Sequence, residues 1–135
     1  MTDSAQQQIQ DVLNAYARAC DTRDFDKLAQ LVTDDVEIER EDGVHRGKEA
    51  FLRVYHQLLG DPEVWSKHLI VNVDVRVDGD SAEVGSYFQA PMDKDGQGTI
   101  VFGEYADRFR RIDGRWWLSR KGIRIQRIFR ADVLR

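Results

Sequence analysis

An aspartate and a histidine stand at positions where a small domain could use them together for acid–base chemistry. Asp21 ends an amphipathic segment, QQQIQDVLNAYARACD, and His68 begins an alternating segment, HLIVNVDVRVD. A carboxylate that accepts a hydrogen bond from one ring nitrogen of a histidine leaves the other nitrogen free to take a proton near neutral pH. The two residues therefore predict a general-base dyad that removes a proton next to a carbonyl or another electron-withdrawing group.

Both residues also have structural interpretations. An aspartate at a helix end often caps the next helix, and Asp21 is followed by Thr22-Arg23-Asp24. An isolated histidine at the start of a strand is commonly a surface residue or a structural hydrogen-bonding group. The catalytic interpretation therefore requires a fold that brings the helix end against the strand start.

The alternation of the strand opposes this arrangement. Leu69 and the four valines up to Val77 fall on one face, which places His68 on the other face with polar residues. A β-bulge near the strand start would reverse the facing. Alternatively, the valines pack on the helices or on a partner subunit while the polar face lines a cavity.

The composition of the chain limits the possible function classes. The 135 residues form one domain, 1–135, with 41% hydrophobic and 33% charged residues and a net charge of −4, which disfavours nucleic-acid partners. The single cysteine, Cys20, cannot form an intrachain disulfide, which is typical of a reducing compartment. We find neither a signal-peptide pattern nor an apolar run of membrane-spanning length. The sequence predicts a cytoplasmic protein with no membrane partner.

The elements that would position the dyad are three helices followed by long strands. The first helix, capped by Asp3 or Ser4, ends near Asp21, and the second begins at Asp24 and is broken at residues 33–35. The third covers KEAFLRVYHQLLG, after a short strand, VEIER, and a second extended piece in EDGVHRG. Four antiparallel strands follow from His68, with MDKDGQG as a loop and Asp113-Gly114 as a hairpin turn. The order predicts an α+β fold, a half-open cone with a pocket between helices and sheet.

Four strings carry a resemblance to a known superfamily: YARACDTRDFDKLAQLVTDDV, LLGDPEVWSKH, FRRIDGRWWLS and GIRIQRIF. The chain resembles the nuclear-transport-factor-2-like (NTF2-like) superfamily, and within it the SnoaL-like and scytalone dehydratase-like proteins. The likeness covers almost the whole chain. It implies an NTF2-like cone, with three N-terminal helices packed on a curved mixed or antiparallel sheet.

The resemblance also implies site residues. The helix-end aspartate of the dehydratases falls on Asp21 and their histidine after the GDP turn on His68. Tyr16 lies five residues before Asp21, as does a catalytic tyrosine in the similar bile-acid dehydratases. This chain departs from scytalone dehydratase in two respects. That enzyme has a tyrosine at the position of Cys20. Its other tyrosine, second histidine and asparagine fall near three residues of different types here. These three are Arg40, Met92 and Tyr105. Scytalone itself is therefore not the expected substrate.

The predicted function is a cofactor-free lyase or isomerase of the dehydratase type, acting on a small or polycyclic apolar carbonyl compound. The predicted catalytic residues are His68, Asp21 and Tyr16, with Tyr16, Tyr105 or Arg124 as the donor that polarises the substrate. The predicted substrate-binding residues are Trp65, Cys20, Met92, Tyr105 and Arg124. No metal motif or phosphate loop occurs, so neither a metal nor a nucleotide cofactor is expected.

Two other functions remain open at this point. The scaffold also carries non-catalytic ligand-binding or assembly modules, and epoxide hydrolase or ketosteroid-isomerase-like activities. A homo-oligomer, dimer or trimer, is expected in any case, because the valine-rich strand and the arginine-rich last strand offer faces for a second copy.

Overall fold

The structure is a computed structural model that describes residues 4–135, and it contains the three predicted helices. Helix α1 (Ala5–Thr22) begins after Ser4, whose hydroxyl accepts a hydrogen bond from the Gln7 backbone N–H; the other predicted cap, Asp3, lies outside the described residues. Helix α2 (Phe25–Leu31) begins after Asp24, whose carboxylate accepts from the Lys27 N–H. Helix α3 covers Lys48–Leu59. None of these helices, within residues 4–135, is both long and apolar enough to cross a membrane.

Seven strands form one mixed sheet. They are β1 (Val32–Arg40), β2 (Gly43–Arg46), β3 (Trp65–Ser66), β4 (Leu69–Asp78), β5 (Ser81–Lys94), β6 (Gln97–Ile112) and β7 (Arg115–Asp132). The order is β2-β1-β7-β6-β5-β3, and β4 also pairs with β5; β1 runs parallel to β7 and every other described pair is antiparallel.

Two details of the predicted element boundaries were wrong. Residues 33–35 do not break α2, because the helix ends at Leu31 and β1 begins directly at Val32. Met92 to Lys94 belong to β5 rather than to a polar loop. The turn is confined to Asp95 and Gly96, both with positive φ, which is the backbone geometry that a two-residue hairpin requires.

The helices pack on one face of the sheet, and that inner face carries the core. Alternate residues of β5 are buried from Ala82 to Ala90, and the buried faces of α1 and α3 lie against them and against β1 and β7. The predicted α+β cone, three helices on an open curved sheet, is confirmed.

Strand β4 contains a bulge that decides which way His68 faces. Val71 pairs with Tyr87 but Asp74 pairs with Gly85, so two residues of β4 stand opposite one residue of β5, and Asn72 adopts a left-handed φ of 53°. Ile70, before the bulge, and Val75, after it, consequently share the inner face.

The expectation that residues 69–77 present one apolar face was therefore wrong. Leu69 and Val71 lie on the outer face, with 40% and 44% of their surface exposed, whereas Val73 and Val75 pack against the core. His68, two residues before Ile70, is on the inner side and reaches α1. Of the two explanations considered for the facing of His68, the structure contains the β-bulge.

Candidate active site

Asp21 and His68 meet at the end of α1. His68 Nδ1 lies 2.6 Å from Asp21 Oδ1, and the side chains of both residues are about 10% exposed. The His68 backbone N–H also donates to the same carboxylate, at 2.9 Å to Oδ2 and 3.1 Å to Oδ1. The aspartate therefore holds both the ring and the backbone of the histidine, which fixes the position and the plane of the imidazole.

The electrostatics of this contact define the tautomer of His68. Desolvation acts to raise the pKa of Asp21, but hydrogen bonds from the His68 ring and backbone, the charge of His68 and a hydrogen bond from Ser66 together hold that pKa below its ordinary value. An ionised carboxylate only accepts hydrogen bonds, so Nδ1 of His68 carries the proton. In the neutral ring Nε2 then has the free lone pair, as a general base requires.

Ser66 and Arg23 support the carboxylate from the far side. The Ser66 hydroxyl donates to Asp21 Oδ1 at 3.2 Å and accepts from the Arg23 guanidinium at 2.8 Å. The same guanidinium donates to the carbonyls of Cys20 at 2.8 Å and Val64 at 2.7 Å. It therefore ties the end of α1 to the segment that leads into β3.

Arg23 makes these contacts from an unusual backbone conformation. It is the C-cap of α1 with a left-handed φ of 58°, which is unfavourable for a residue with a Cβ and is compensated here by the side-chain hydrogen bonds. The sequence interpretation missed both Arg23 and Ser66. The available signal was their spacing, each two residues from one member of the dyad.

A groove of about 640 Å³ opens beside the dyad, between α1 and the start of β4. Asp21 and His68 line it together with polar, charged and apolar neighbours: Asn14, Ala17, Arg18, Thr22, Lys67, Leu69 and Ile70. The residues from α1 recur at spacings of three and four, so they form one stripe of the helix. His68 consequently borders a space that a small molecule can enter.

A second carboxylate–base pair lies deeper in the cone. Lys121 Nζ is 3.1 Å from Asp107 Oδ2, and both side chains are fully buried. The ammonium group also lies 3.2 Å from the ring centroid of Tyr105 and 4.2 Å from that of Tyr16, which is the geometry of cation–π contacts. Asp107 Oδ1 is buried without a hydrogen-bond partner among the described residues. The sequence interpretation did not single out this pair.

Three of the predicted site residues belong to this buried cluster instead of the groove. The Tyr16 hydroxyl is 2.5 Å from that of Tyr55, and the Tyr16 and Tyr105 rings meet edge to face, 6.1 Å between centroids. Burial raises the pKa of all three tyrosines, so their hydroxyls remain protonated. Cys20 is fully buried, and burial raises the pKa of its thiol to about 12, which leaves it a core residue and not a nucleophile.

The other predicted residues are spread around the sheet. Met92 is half-buried on the inner face, opposite Ser66. Trp65 is 53% exposed and pairs with Asp93, on the opposite side of the ribbon from Ser66. Arg124 is exposed on the outer face beside Glu104, because its neighbour Ile123 occupies the inner position opposite Tyr105. The structure thus does not bring Arg124 or Trp65 to the dyad.

Comparison with known proteins assigns the family. Residues 3–121 match the family profile of the SnoaL-like domain, which covers most of the chain. The protein belongs to the SnoaL-like family. The family is part of the NTF2-like superfamily, as the resemblance implied. A search of curated proteins found no match to the sequence.

Solved structures share the fold of this SnoaL-like protein at low sequence identity. A putative scytalone dehydratase from Novosphingobium aromaticivorans superposes with a TM-score of 0.84 at 21% identity, covering 95% of this chain and 88% of that one. A hexachlorocyclohexane dehydrochlorinase, LinA-type3 from Novosphingobium barchaimii, gives 0.82 at 20% identity, with 94% and 90% covered. Rv3472 from Mycobacterium tuberculosis gives 0.79 at 27% identity, with 90% and 76% covered.

Proposed function

We propose that this protein is a cofactor-free lyase or isomerase in which His68 is the general base and Asp21 orients it. The observation that carries the proposal is the 2.6 Å contact between His68 Nδ1 and Asp21 Oδ1 at the wall of an open groove. Among residues 4–135, no group of three His, Cys, Asp or Glu side chains is placed to hold a metal ion.

The proposed reaction starts with proton transfer to His68 Nε2. The C–H bond next to the electron-withdrawing group breaks, and the imidazolium that forms is stabilised by the Asp21 carboxylate. In an elimination, the electron pair forms a carbon–carbon double bond while a hydroxide or halide leaves the neighbouring carbon with its bonding electrons. His68 then returns the proton to the departing hydroxide or to solvent. In an isomerisation, the imidazolium returns the proton to a different carbon.

The relatives support this class of reaction. The names of two structural neighbours, a putative scytalone dehydratase and a dehydrochlorinase, describe eliminations of water and of hydrogen chloride. Both reactions need a base that removes a proton from carbon. In the proposed reaction the dyad supplies this base.

The test is C–H exchange catalysed by the protein, because exchange requires the base but no particular leaving group. A panel of aryl ketones and β-hydroxy ketones in D₂O is followed by ¹H NMR for loss of the signal next to the carbonyl. We expect wild-type protein to exchange at least one compound, and His68→Ala to lower that rate by about two to four orders of magnitude with an unchanged circular dichroism spectrum.

The matched control is His45→Ala. This change removes another contact between a histidine and an aspartate, His45 with Asp42 at 3.1 Å, which is exposed and does not line the groove. The control is expected to exchange at the wild-type rate. Equal rates in wild type and His68→Ala would refute the role of the dyad and favour the alternative, a ligand-binding module.

We further propose a cytoplasmic homo-oligomer. The outer face of the sheet exposes Leu69, Val71, Tyr87, Phe102 and Phe129, and strand pairing makes these residues neighbours across β4, β5, β6 and β7. A face of this kind is typical of a contact between copies. Size-exclusion chromatography with light scattering distinguishes a dimer or trimer from a monomer of 15.6 kDa.

A further inference from the structure

The groove beside the dyad carries more positive charge than the rest of this acidic protein would suggest. The chain has 24 Asp and Glu residues against 20 Lys and Arg. Two cations, Arg18 and Lys67, nevertheless line the groove, and Asp21 is the single acidic residue that residues 4–135 contribute to it. The Asp21 carboxylate already accepts hydrogen bonds from His68 and Ser66, so it is committed to the dyad.

Neither cation is paired with an acidic side chain among residues 4–135. Most other arginines and lysines around the sheet and α3 have such a partner, as Arg53 has in Glu49 and Lys94 has in Asp61. Lys67 instead lies 6.0 Å from the ring centroid of Trp65. Arg18 is exposed and stands one helical turn before Asp21, on the stripe of α1 that faces the groove. Its guanidinium is free to receive an anionic oxygen group.

We infer that the substrate carries an anionic oxygen group, a carboxylate or a phosphate, which Arg18 binds with help from Lys67. The inference rests on the proposed function in taking the groove as the substrate site. A guanidinium presents paired N–H donors that match the two oxygens of such a group, which makes Arg18 the principal contact. Ala17 and Ile70 offer apolar contact to the carbon skeleton in the same groove.

This arrangement also supplies a partner for the charge that proton removal creates. When His68 takes a proton from carbon, negative charge develops on the substrate, and a cation in the same groove stabilises it. Neither Tyr16 nor Tyr105 lines the groove, and Arg124 lies on the outer face. Arg18 therefore fills the role of polarising donor that the sequence assigned to one of those three residues.

The experiment measures binding, so that its result does not depend on turnover. The probes are 2-naphthoate and its neutral isostere 2-naphthamide, titrated by ligand-observed NMR at low ionic strength. We expect wild-type protein to bind naphthoate about tenfold more tightly, the size of one charge-assisted hydrogen bond in a partly solvated groove. Arg18→Gln should abolish the preference, Arg18→Lys should retain part of it, and Lys67→Gln should reduce it about twofold. Inorganic phosphate competing with naphthoate would indicate a phosphate-bearing substrate; failure to compete would indicate a carboxylate.

The control is Arg53→Gln, which removes an exposed arginine of α3 outside the groove and should leave the preference intact. The binding readout separates this inference from the catalytic proposal. Wild-type protein that prefers naphthoate but exchanges no C–H proton, either in the ketone panel or in carboxylate-bearing analogues of those ketones, would refute the general base and leave anion recognition standing. Equal affinities for the two probes, undetectable naphthoate binding, or an unchanged preference in Arg18→Gln would overturn the inference.

Discussion

Two of the contacts between a carboxylate and a nitrogen base, Asp21 with His68 and Asp107 with Lys121, differ in burial, in access to solvent and in the donors that the carboxylate accepts from. Asp21 meets His68 at 2.6 Å beside a groove, and its carboxylate accepts from three donor groups on two residues. Asp107 meets Lys121 at 3.1 Å in the core, where one of its two oxygens has no partner among residues 4–135. The first pair is open to a ligand, and the second is enclosed by aromatic rings.

The pKa values of the two aspartates move in opposite directions for a physical reason. Desolvation acts to raise both, but at Asp21 the hydrogen bonds to the carboxylate prevail and its pKa falls. At Asp107 burial is complete, so desolvation prevails over the charge and hydrogen bond of Lys121 and over a backbone hydrogen bond from Gly122, and the pKa rises. Burial likewise lowers the pKa of Lys121, against the attraction of Asp107. A nearby base is therefore not sufficient to keep a carboxylate acidic; the number of donors and the access of water decide.

The largest expected effect is the loss of folding stability when one member of the buried pair is removed. Lys121→Ala leaves the Asp107 charge buried without a partner, so we expect the free energy of unfolding to fall by about 3–5 kcal/mol. The double substitution Asp107→Leu with Lys121→Met replaces both charges by apolar groups and should recover most of that loss. Urea titration followed by circular dichroism measures both. A single variant that loses less than about 1 kcal/mol would show that the buried pair behaves like a surface pair.

A smaller effect is expected at the support of the dyad. Arg23→Ala removes the four hydrogen bonds of the guanidinium but keeps the strained left-handed backbone, and we expect it to destabilise the protein by about 2 kcal/mol. Arg23→Gly relieves the strain and should be about 1 kcal/mol more stable than Arg23→Ala. The readout specific to positioning is the pH profile of C–H exchange, which should shift in both variants if the exchange depends on Asp21. Profiles identical to that of wild type would limit Arg23 to a role in stability.

The smallest expected effect is on the pH dependence of stability, to which Asp21 and Asp107 contribute with opposite signs. The pKa of Asp21 is lowered in the folded state, so its stabilisation is complete above its unfolded pKa of about 3.8 and is lost as the pH falls through the lower folded value. The pKa of Asp107 is raised, so its contribution is complete below about 3.8 and is lost as the pH rises through the higher folded value. As the pH is lowered from 7 to 3, the free energy of unfolding of wild type should fall relative to that of Asp21→Asn. Over the same range it should rise relative to that of Asp107→Asn. If the two free-energy differences changed with pH in the same direction, the opposite pKa shifts of Asp21 and Asp107 would be contradicted.

The β6–β7 hairpin explains why the sequence identified one pair and missed the other. The turn at Asp113-Gly114 pairs Ile112 with Arg115, and the same register continued would set Asp107 opposite Arg120. One extra residue, Ser119, shifts the pairing so that Lys121 takes the inner position and Arg120 turns outward to Glu37 and Glu39. Alternation alone cannot locate a bulge, because it depends on how two strands fit across the whole sheet.

The residue types and periodicities determined most of the architecture. Caps and helical spacing identified three helices, and turn residues identified the four long strands. Asp21 and His68 were identified as partners because a carboxylate and an imidazole in those settings suit one another and match a family pattern. The link through Arg23 and Ser66 was not identified, because it joins residues 43 apart in the chain through side chains alone.

What only the tertiary structure decided is the direction in which His68 points. The alternating sequence of β4 places the histidine opposite the valines, and the bulge at Asn72 reverses that assignment within two residues. A strand has a period of two, so one inserted residue exchanges its faces, and the free energy that selects the insertion comes from packing against α1 and β5. The sequence thus determined which groups could form a dyad, and the packing of helix on sheet determined that they meet.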